Sequence, residues 1–256
     1  MHKLIRMDLY RMLKSRSFLA CLLLAFLLAA AEAPLGKLMV TIALSFAPGT
    51  ANPFTADASL SAILSNPFPM MGLLLALLSL CWFFYADMEH GYIKNIAGQM
   101  PMKGFTILSR FLAAAVHNLV FAAVGILGNL AGTLLVQRIA MDAQVLEVLR
   151  ILVLKLLLAH SLCAALLLVA ATFRSKSFAM VLAVLFGLGL TPLLYAGISE
   201  GLGSLLNRSI DIAGYMPDTV MGENPLGTGK ALAVALAWGA VFLVPAVRIF
   251  DRKDVK

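Results

Sequence analysis

The sequence predicts an all-α membrane protein that crosses the bilayer six times. Two observations carry this prediction: six long apolar runs, and a concentration of lysine and arginine in alternate segments between those runs. Hydrophobic residues make up 61% of the 256 residues and charged residues only 13%, and the mean hydropathy is +0.94. A soluble protein of this composition would lack the polar residues that cover a core.

The six predicted transmembrane helices follow from the lengths of the apolar runs. A helix of about 20 residues, rising about 1.5 Å per residue, crosses a hydrocarbon layer of about 30 Å. Four of the six runs contain no Asp, Glu, Lys or Arg. The runs cover residues 18–36, 68–86, 111–137, 151–173, 177–199 and 231–247. No segment between them is long enough for a soluble domain, so we expect residues 1–256 to form one transmembrane domain.

The distribution of charge predicts that both termini are cytoplasmic. With six spans and a cytoplasmic amino terminus, fourteen of the 20 lysines and arginines fall in cytoplasmic segments. This orientation is favoured because cytoplasmic loops of membrane proteins carry an excess of Lys and Arg. Topology therefore accounts for the net charge of +7. Nucleic-acid binding would need a basic face on a soluble domain, and the sequence has no such domain.

Residues 1–16 are predicted to form an amphipathic elbow helix that lies at the membrane interface before the first span. At helical spacing, one face carries the apolar side chains of Ile5, Leu9, Met12 and Leu13. Another face carries Lys3, Arg6, Tyr10 and Lys14. A cleaved signal peptide is a weaker interpretation, because the basic region is long and contains Asp8. An ordinary solvated basic segment is the remaining alternative.

The segment between the second and third spans mixes charged residues with apolar ones. It reads DMEHGYIKNIAGQMPMKGF from Asp87, and Gly98 and Pro101 interrupt it. A short interfacial helix with a few apolar side chains, such as Tyr92 and Ile93, is a structure that a peripheral subunit can bind in a groove. The alternative is a plain cytoplasmic loop whose basic residues follow the positive-inside rule.

In this segment the chain resembles the permease subunits of type-2 ATP-binding-cassette exporters. Those permeases carry, after their second span, an acid, a short gap, Gly-Thr-Ile-Lys-Asn, and then a proline followed by a basic position. The residues that stand in this pattern are Glu89, Gly91, Ile93, Lys94, Asn95, Pro101 and Lys103. Tyr92 replaces the usual small residue, and Glu89 lies closer to the glycine than in many members. The elbow, the six spans and the large outer loops after the first and fifth spans also match the family's layout.

The resemblance implies a non-catalytic half-transporter in the cytoplasmic membrane of a bacterium. Two permeases, identical or sister chains, would form the path, and two cytoplasmic ATPase subunits would drive transport. ATP and Mg²⁺ would bind to those partners, so the resemblance implies no cofactor in this chain. The implied ATPase-coupling residues are Glu89, Gly91, Tyr92, Ile93, Lys94, Asn95 and Pro101. Small family members serve in immunity to lantibiotics and other peptide antibiotics, which favours an amphipathic peptide or drug-like substrate.

The residues themselves also point to an external energy source. The sequence has no phosphate-binding glycine loop followed by Lys-Ser/Thr. Ion-coupled secondary transporters usually place acids at the membrane midplane, whereas the single acid in a predicted span, Glu32, lies near an outer end. An intramembrane enzyme based on His117 or His160 would lack paired acids and a recognisable catalytic motif. A non-transporting scaffold or receptor subunit remains the main alternative.

Three polar residues of the third span are candidates for a substrate path: His117, Asn118 and Asn129. Polar groups at this depth are costly and often functional. The same groups also hydrogen-bond neighbouring helices for purely structural reasons, and this alternative stays open. No Cys or His pair stands at metal-ligand spacing, so we expect no metal site.

Glycines predict two features of helix packing. Gly128 and Gly132 form a small-xxx-small motif, which permits close approach of another helix. Gly187, Gly189 and Pro192 are expected to weaken or kink the fifth span.

The charge distribution leads to a test of the orientation. Cysteines introduced near Asp57 and Asp218 are expected to react with an impermeant thiol reagent in intact cells, because both positions are predicted to lie outside. Cysteines near Lys94 and Lys176 are expected to stay unlabelled. Labelling at Lys94 from outside would contradict the predicted orientation.

Overall fold

The structure, a computed structural model, describes residues 2–46, 53–89, 102–142, 144–173, 175–206, 211–223 and 226–252. Within these ranges almost all regular structure is helical. The helices are α1 (His2–Leu13), α2 (Arg16–Phe46), α3 (Leu60–Leu64), α4 (Gly72–Glu89), α5 (Phe105–Leu134), α6 (Val145–Thr172), α7 (Lys176–Gly187), α8 (Thr191–Leu206), α9 (Pro217–Met221) and α10 (Thr228–Arg252). Two short strands, β1 (Ala58–Ser59) and β2 (Ile139–Ala140), pair in parallel.

Four helices in the described part of the chain, α2, α5, α6 and α10, are long and apolar enough to cross a membrane. The number is five if α7 and α8 together make one span. The apolar part of α4, Gly72–Ala86, is shorter, and reaches about 22 Å against a hydrocarbon layer of about 30 Å. The chain therefore has the helices of a multi-pass membrane protein, and the count of six stays a prediction.

The observed helices extend beyond most of the predicted spans. The helix α2 starts at Arg16 and continues past residue 36 to Phe46, although Pro34 lies inside it. Backbone hydrogen bonds continue a helix through residues that need not be apolar, so hydropathy underestimates its length. In contrast, α4 starts only at Gly72. Pro67 and Pro69 disfavour helix before that point, because proline lacks an N–H and restricts the preceding residue.

The predicted fifth span, residues 177–199, is not one continuous helix. It is divided into α7 and α8, which meet at an angle of 91°. Gly189 lies in the break with φ of +64°, a conformation that glycine adopts without strain. Gly187 packs against α4, where a Cβ atom would lie 2.4 Å from the Cα atom of Leu74. The expectation that these glycines weaken the span is thus confirmed, and the bend is larger than a kink.

The bundle has two chemically different ends. At the α1 end, α1 lies beside the start of α5. At the opposite end, which we call the ladder end, the β1–β2 pair forms after the carboxyl end of α5. The 30 residues of α5 separate these ends by about 45 Å.

Two glycines bring α5 against the backbone of α2. A Cβ atom on Gly128 would lie 2.7 Å from the carbonyl oxygen of Phe26, and one on Gly132 would lie 2.1 Å from that of Ala30. Both distances are too short for a real Cβ atom. The predicted small-xxx-small contact is therefore confirmed. Close approach of this kind gains van der Waals contact, which stabilises helix pairs where lipid surrounds them.

The opposite face of α2 points away from the protein. Leu19, Leu23 and Leu27 recur at every fourth position and are 53%, 62% and 54% exposed. A continuous exposed leucine stripe of this length is costly in water. It is the surface expected of a helix that faces lipid tails.

The predicted elbow segment forms the separate helix α1, but its buried face differs from the predicted one. Leu4, Asp8 and Met12 are buried, whereas Leu13 is 43% exposed. The helix is rotated so that Asp8 faces α5 and binds a serine there. Hydropathy cannot anticipate this rotation, because it assigns every carboxylate to the solvent. The position of α1 at a membrane interface stays a prediction.

The α2–α5 contact can be tested with a matched pair of glycines. Gly132→Ala is expected to lower the free energy of unfolding by about 1–3 kcal/mol, because the new methyl group collides with the α2 backbone. Gly239→Ala is the control: nothing lies within 4 Å of its Cβ position, and alanine favours helix by about 1 kcal/mol. Thermal unfolding can be followed with a thiol-reactive dye, since Cys21, Cys81 and Cys163 are buried. Equal stability of the two variants would contradict the contact.

Candidate functional site

A buried carboxylate joins α1 to α5 at the α1 end. Asp8 is 1% exposed and Ser109 is 0% exposed. The Ser109 hydroxyl donates a hydrogen bond of 2.5 Å to Oδ2 of Asp8. A hydrogen bond to a charged group contributes about 1.5–3 kcal/mol, and an unsatisfied buried carboxylate would cost more. This contact therefore determines which face of α1 meets the bundle.

The next residue of α5, Arg110, joins that helix to the end of α4. Arg110 is fully buried, and its Nη1 donates a hydrogen bond of 3.0 Å to the carbonyl oxygen of Phe84. Phe84 lies five residues before Glu89, the last residue of α4, so the guanidinium binds a carbonyl about one and a half turns from the end of that helix. Arg110 is a structural contact between α4 and α5, not only a positive-inside charge.

The start of α5 is also held by α10. The Gly104 N–H donates a hydrogen bond of 3.3 Å to Oδ1 of Asp251, and a carboxylate at a helix amino terminus is favourable. Gly104 lies so close to α10 that a Cβ atom would be 2.7 Å from Cγ1 of Val247. Here only glycine fits without movement of the neighbouring helix.

These contacts lie in the helices on either side of the predicted coupling segment. Glu89 is the last residue of α4, and Phe105 is the first of α5. Residues 90–101 lie outside the described ranges. The remaining predicted coupling residues fall there: Gly91, Tyr92, Ile93, Lys94, Asn95 and Pro101. The structure describes their anchor points, and their role stays a prediction.

Sequence reasoning missed the anchor itself, which consists of Asp8, Ser109, Arg110 and Asp251. Charge counting placed the three ionisable residues in cytoplasmic segments without assigning them a partner. One feature of the sequence did indicate that Asp8 is buried. Asp8 lies four residues after Leu4 and four before Met12, so it shares a helix face with two apolar side chains.

His117 is buried in an aromatic environment. Its Nε2 lies 3.2 Å from Oγ of Ser79 on α4. Its ring stacks on Phe121, with centroids 4.5 Å apart, and meets the edge of Phe18 at 5.4 Å. The histidine is 0% exposed, so its contacts are those of a helix-packing residue.

The two predicted asparagines lie in different environments. Asn118 is buried and exchanges hydrogen bonds with Cys163 on α6, with Nδ2 3.3 Å from Sγ. Asn129 is half-buried and accepts a bond of 3.3 Å from Thr133 of its own helix. The three polar residues therefore do not form one cluster. These contacts fit the packing alternative, and a place in a substrate path stays a prediction.

In the described part of the chain, no group of three His, Cys, Asp or Glu side chains is arranged to hold a metal ion. No protein-family model matches this sequence, and no curated protein matches it. The arguments for function therefore depend on the sequence and the geometry of this chain.

The Asp8–Ser109 contact can be measured by a double-mutant cycle. Asp8→Ala and Ser109→Ala, alone and together, are expected to give a coupling energy of about 1 kcal/mol or more in unfolding experiments. Asp57→Ala is the control, because that acid is exposed at the ladder end. Coupling indistinguishable from zero would show that the two side chains do not join α1 to α5.

Proposed function

We propose that this chain is the membrane-spanning subunit of an ATP-driven exporter. In this proposal it is a non-catalytic permease in the cytoplasmic membrane of a bacterium, with both termini cytoplasmic. A separate cytoplasmic ATPase dimer binds ATP and Mg²⁺ and hydrolyses the nucleotide. A second permease, identical or a sister chain, completes the path for an amphipathic peptide or drug-like substrate.

The observation that carries the proposal is that hydrogen bonds join α4, α5 and α10 on either side of residues 90–101. In the helix before this segment the carbonyl of Phe84 binds Arg110, and the helix after the segment begins beside Asp251. A segment that receives force from a partner must be joined firmly to the spans it moves, because packed helices shift as discrete bodies. A buried hydrogen bond on the α4 side and a partly buried one on the α10 side supply that connection. An ordinary cytoplasmic loop does not need it.

The helix α5 connects the α1 end to the rest of the bundle. It packs against α1, α2, α4, α6 and α10. Its contact with α2 involves backbone atoms directly, so a displacement of α5 requires movement of α2 as well. Motion that enters at the α1 end would therefore reorient several helices together, as alternating access requires.

The partner's contact can be tested at the apolar residues of the segment. Tyr92→Ala combined with Ile93→Ala is expected to release the ATPase during co-purification and to abolish substrate-stimulated ATP hydrolysis. Truncating a buried apolar anchor costs about 2 kcal/mol, or roughly a 30-fold loss of affinity. Lys94→Ala is expected to have a smaller effect that depends on salt concentration, as for a rim charge.

A matched control removes two exposed apolar side chains at the ladder end. Leu134 and Leu135 are 62% and 81% exposed, so Leu134→Ala with Leu135→Ala is expected to leave ATPase association unchanged. Retained association and transport in the Tyr92/Ile93 variant would contradict the coupling role. If the wild-type protein binds the ATPase but substrate does not stimulate ATP hydrolysis, the result would instead favour a scaffold or receptor subunit.

A further inference from the structure

A cavity at the α1 end, which we call the basic cavity, lies where α1, α2, α4 and α7 come together. Its volume is about 210 Å³. The lining combines basic, hydroxyl and aromatic side chains from these helices and from the junction between α1 and α2. The lining residues that matter below are Arg11, Ser15, Ser17, Trp82, Phe83 and Lys176.

Among the described residues that line the basic cavity, the two charged ones are both positive: Arg11 and Lys176. Both are half-buried, and both also interact with other groups of the chain. An arginine has five N–H donors and a lysine three, so each can bind a ligand as well. Asp87 follows the lining residue Ala86 in the sequence, and a single carboxylate beside two cations would still leave a positive charge. The lining therefore favours an anion.

Two hydroxyl groups add hydrogen-bonding capacity to the same cavity. Oγ of Ser15 lies 2.7 Å from Oγ of Ser17. One hydroxyl donates to the other, so the second proton of the pair can be donated to a ligand. The donors thus come from α1, from the junction between α1 and α2, and from α7. A tetrahedral phosphate presents acceptor oxygens in several directions, whereas a carboxylate presents two in one plane, so this arrangement suits a phosphate.

The larger cavities at the ladder end do not select an anion in this way. Their volumes are about 580 Å³ and 330 Å³, and Lys155 lines both. Asp142 also lines the larger one and Asp218 the smaller one. In each of them, charges of opposite sign face one space.

The basic cavity lies beside a surface that is suited to acyl chains. The Leu19 N–H donates a hydrogen bond of 3.1 Å to the carbonyl oxygen of Ser15, so Leu19 lies one helical turn beyond the cavity. The exposed leucine stripe of α2 starts at Leu19. Trp82 is half-buried in the cavity wall, and tryptophan is enriched at the depth of lipid headgroups.

The size of the basic cavity also argues for part of a larger molecule. Pockets that enclose a whole small-molecule ligand usually have volumes of about 300–1,000 Å³, and this one has about 210 Å³. It holds a headgroup fragment whose remainder lies outside, along the apolar surface.

We propose that the basic cavity binds the phosphate group of an anionic phospholipid. Arg11 and Lys176 contact the phosphate oxygens, and the acyl chains lie along the stripe that starts at Leu19. Basic pockets between membrane helices bind anionic headgroups by the same chemistry. The lipid joins α1 to α4 and α7. This inference goes beyond the proposed function and does not depend on an ATPase partner.

The two tryptophans of the chain allow a local measurement. Trp238→Phe leaves Trp82 as a reporter in the cavity wall. Trp82→Phe leaves Trp238, which lies in the half of α10 nearer the ladder end and donates to the carbonyl of Tyr215. Each protein is placed in phosphatidylcholine nanodiscs that contain a small fraction of phosphatidylglycerol with acyl chains brominated near the headgroup. Bromine quenches tryptophan fluorescence on contact.

Phosphatidylglycerol is expected to be enriched about tenfold beside Trp82, relative to brominated phosphatidylcholine at the same fraction, because two cations attract its net charge. Trp238 should report no such enrichment. Arg11→Gln combined with Lys176→Gln, in the Trp238→Phe background, should remove the enrichment. Arg11→Lys combined with Lys176→Arg keeps both charges and should retain it, which separates loss of charge from loss of fold.

Lys14→Gln is the matched control, because Lys14 is an exposed cation of the same region that lies over the ring of Tyr10. It should keep the enrichment at Trp82. Equal enrichment at the two tryptophans, or enrichment that survives the double glutamine variant, would overturn the inference. An equal loss in Lys14→Gln would show a general attraction to surface charge and would also overturn it.

A second measurement distinguishes a lipid from a free phosphate. In detergent without lipid, short-chain phosphatidylglycerol is expected to raise the midpoint of thermal unfolding, since it binds the folded protein. Inorganic phosphate at the same concentration is expected to have a smaller effect, because it lacks the contact with the leucine stripe. An equal rise with both would assign the cavity to a free anion and overturn the lipid site.

Discussion

The interior of a lipid bilayer offers no hydrogen-bond partners, and the chain's structure follows from this constraint. Backbone N–H and carbonyl groups can be satisfied there only within helices or closed barrels, so the long apolar runs are helical. Polar side chains buried inside the bundle also need hydrogen-bond partners. Asp8 binds Ser109, Arg110 binds the carbonyl of Phe84, and His117 lies beside Ser79. Each of these contacts joins two different helices, so hydrogen-bond satisfaction also helps to specify which helices become neighbours.

The helix α5 has varied surroundings. One face carries glycines that let α2 approach the backbone, and its first turns carry the polar contacts of the α1 end. Small residues and polar residues serve different purposes here. Glycine increases van der Waals contact where no hydrophobic force operates between helices, and the polar groups determine register and rotation. The rotation of α1 toward α5 illustrates the second effect, because a carboxylate and not an apolar side chain occupies the centre of its buried face.

The two ends of the bundle differ in how charge is used. At the α1 end, ionisable groups are buried and hydrogen-bonded, which favours a rigid connection between α1, α4, α5 and α10. At the ladder end, the break between α7 and α8 and the short elements around it leave cavities in which Lys155 is accessible. Within the proposed function, energy input would take place at the α1 end. The contact between α5 and α6 would connect that end with the cavities.

Composition and periodicity were enough to predict a nearly all-α chain with several membrane helices, because the need for about 20 apolar residues in a span is local. The glycine contacts of α5 and the break before Pro192 were also predictable. Close helix approach and helix breaking depend on residue type, which the sequence shows directly. The helix ends, the partner of Asp8 and the partners of His117 were not predictable. They depend on which helices become neighbours, and hydropathy does not contain that information. Lys155 shows the difference most clearly: a lysine on an apolar helix usually extends its ammonium to the membrane surface, and only the packing of α3, α6 and α9 places Lys155 beside the cavities.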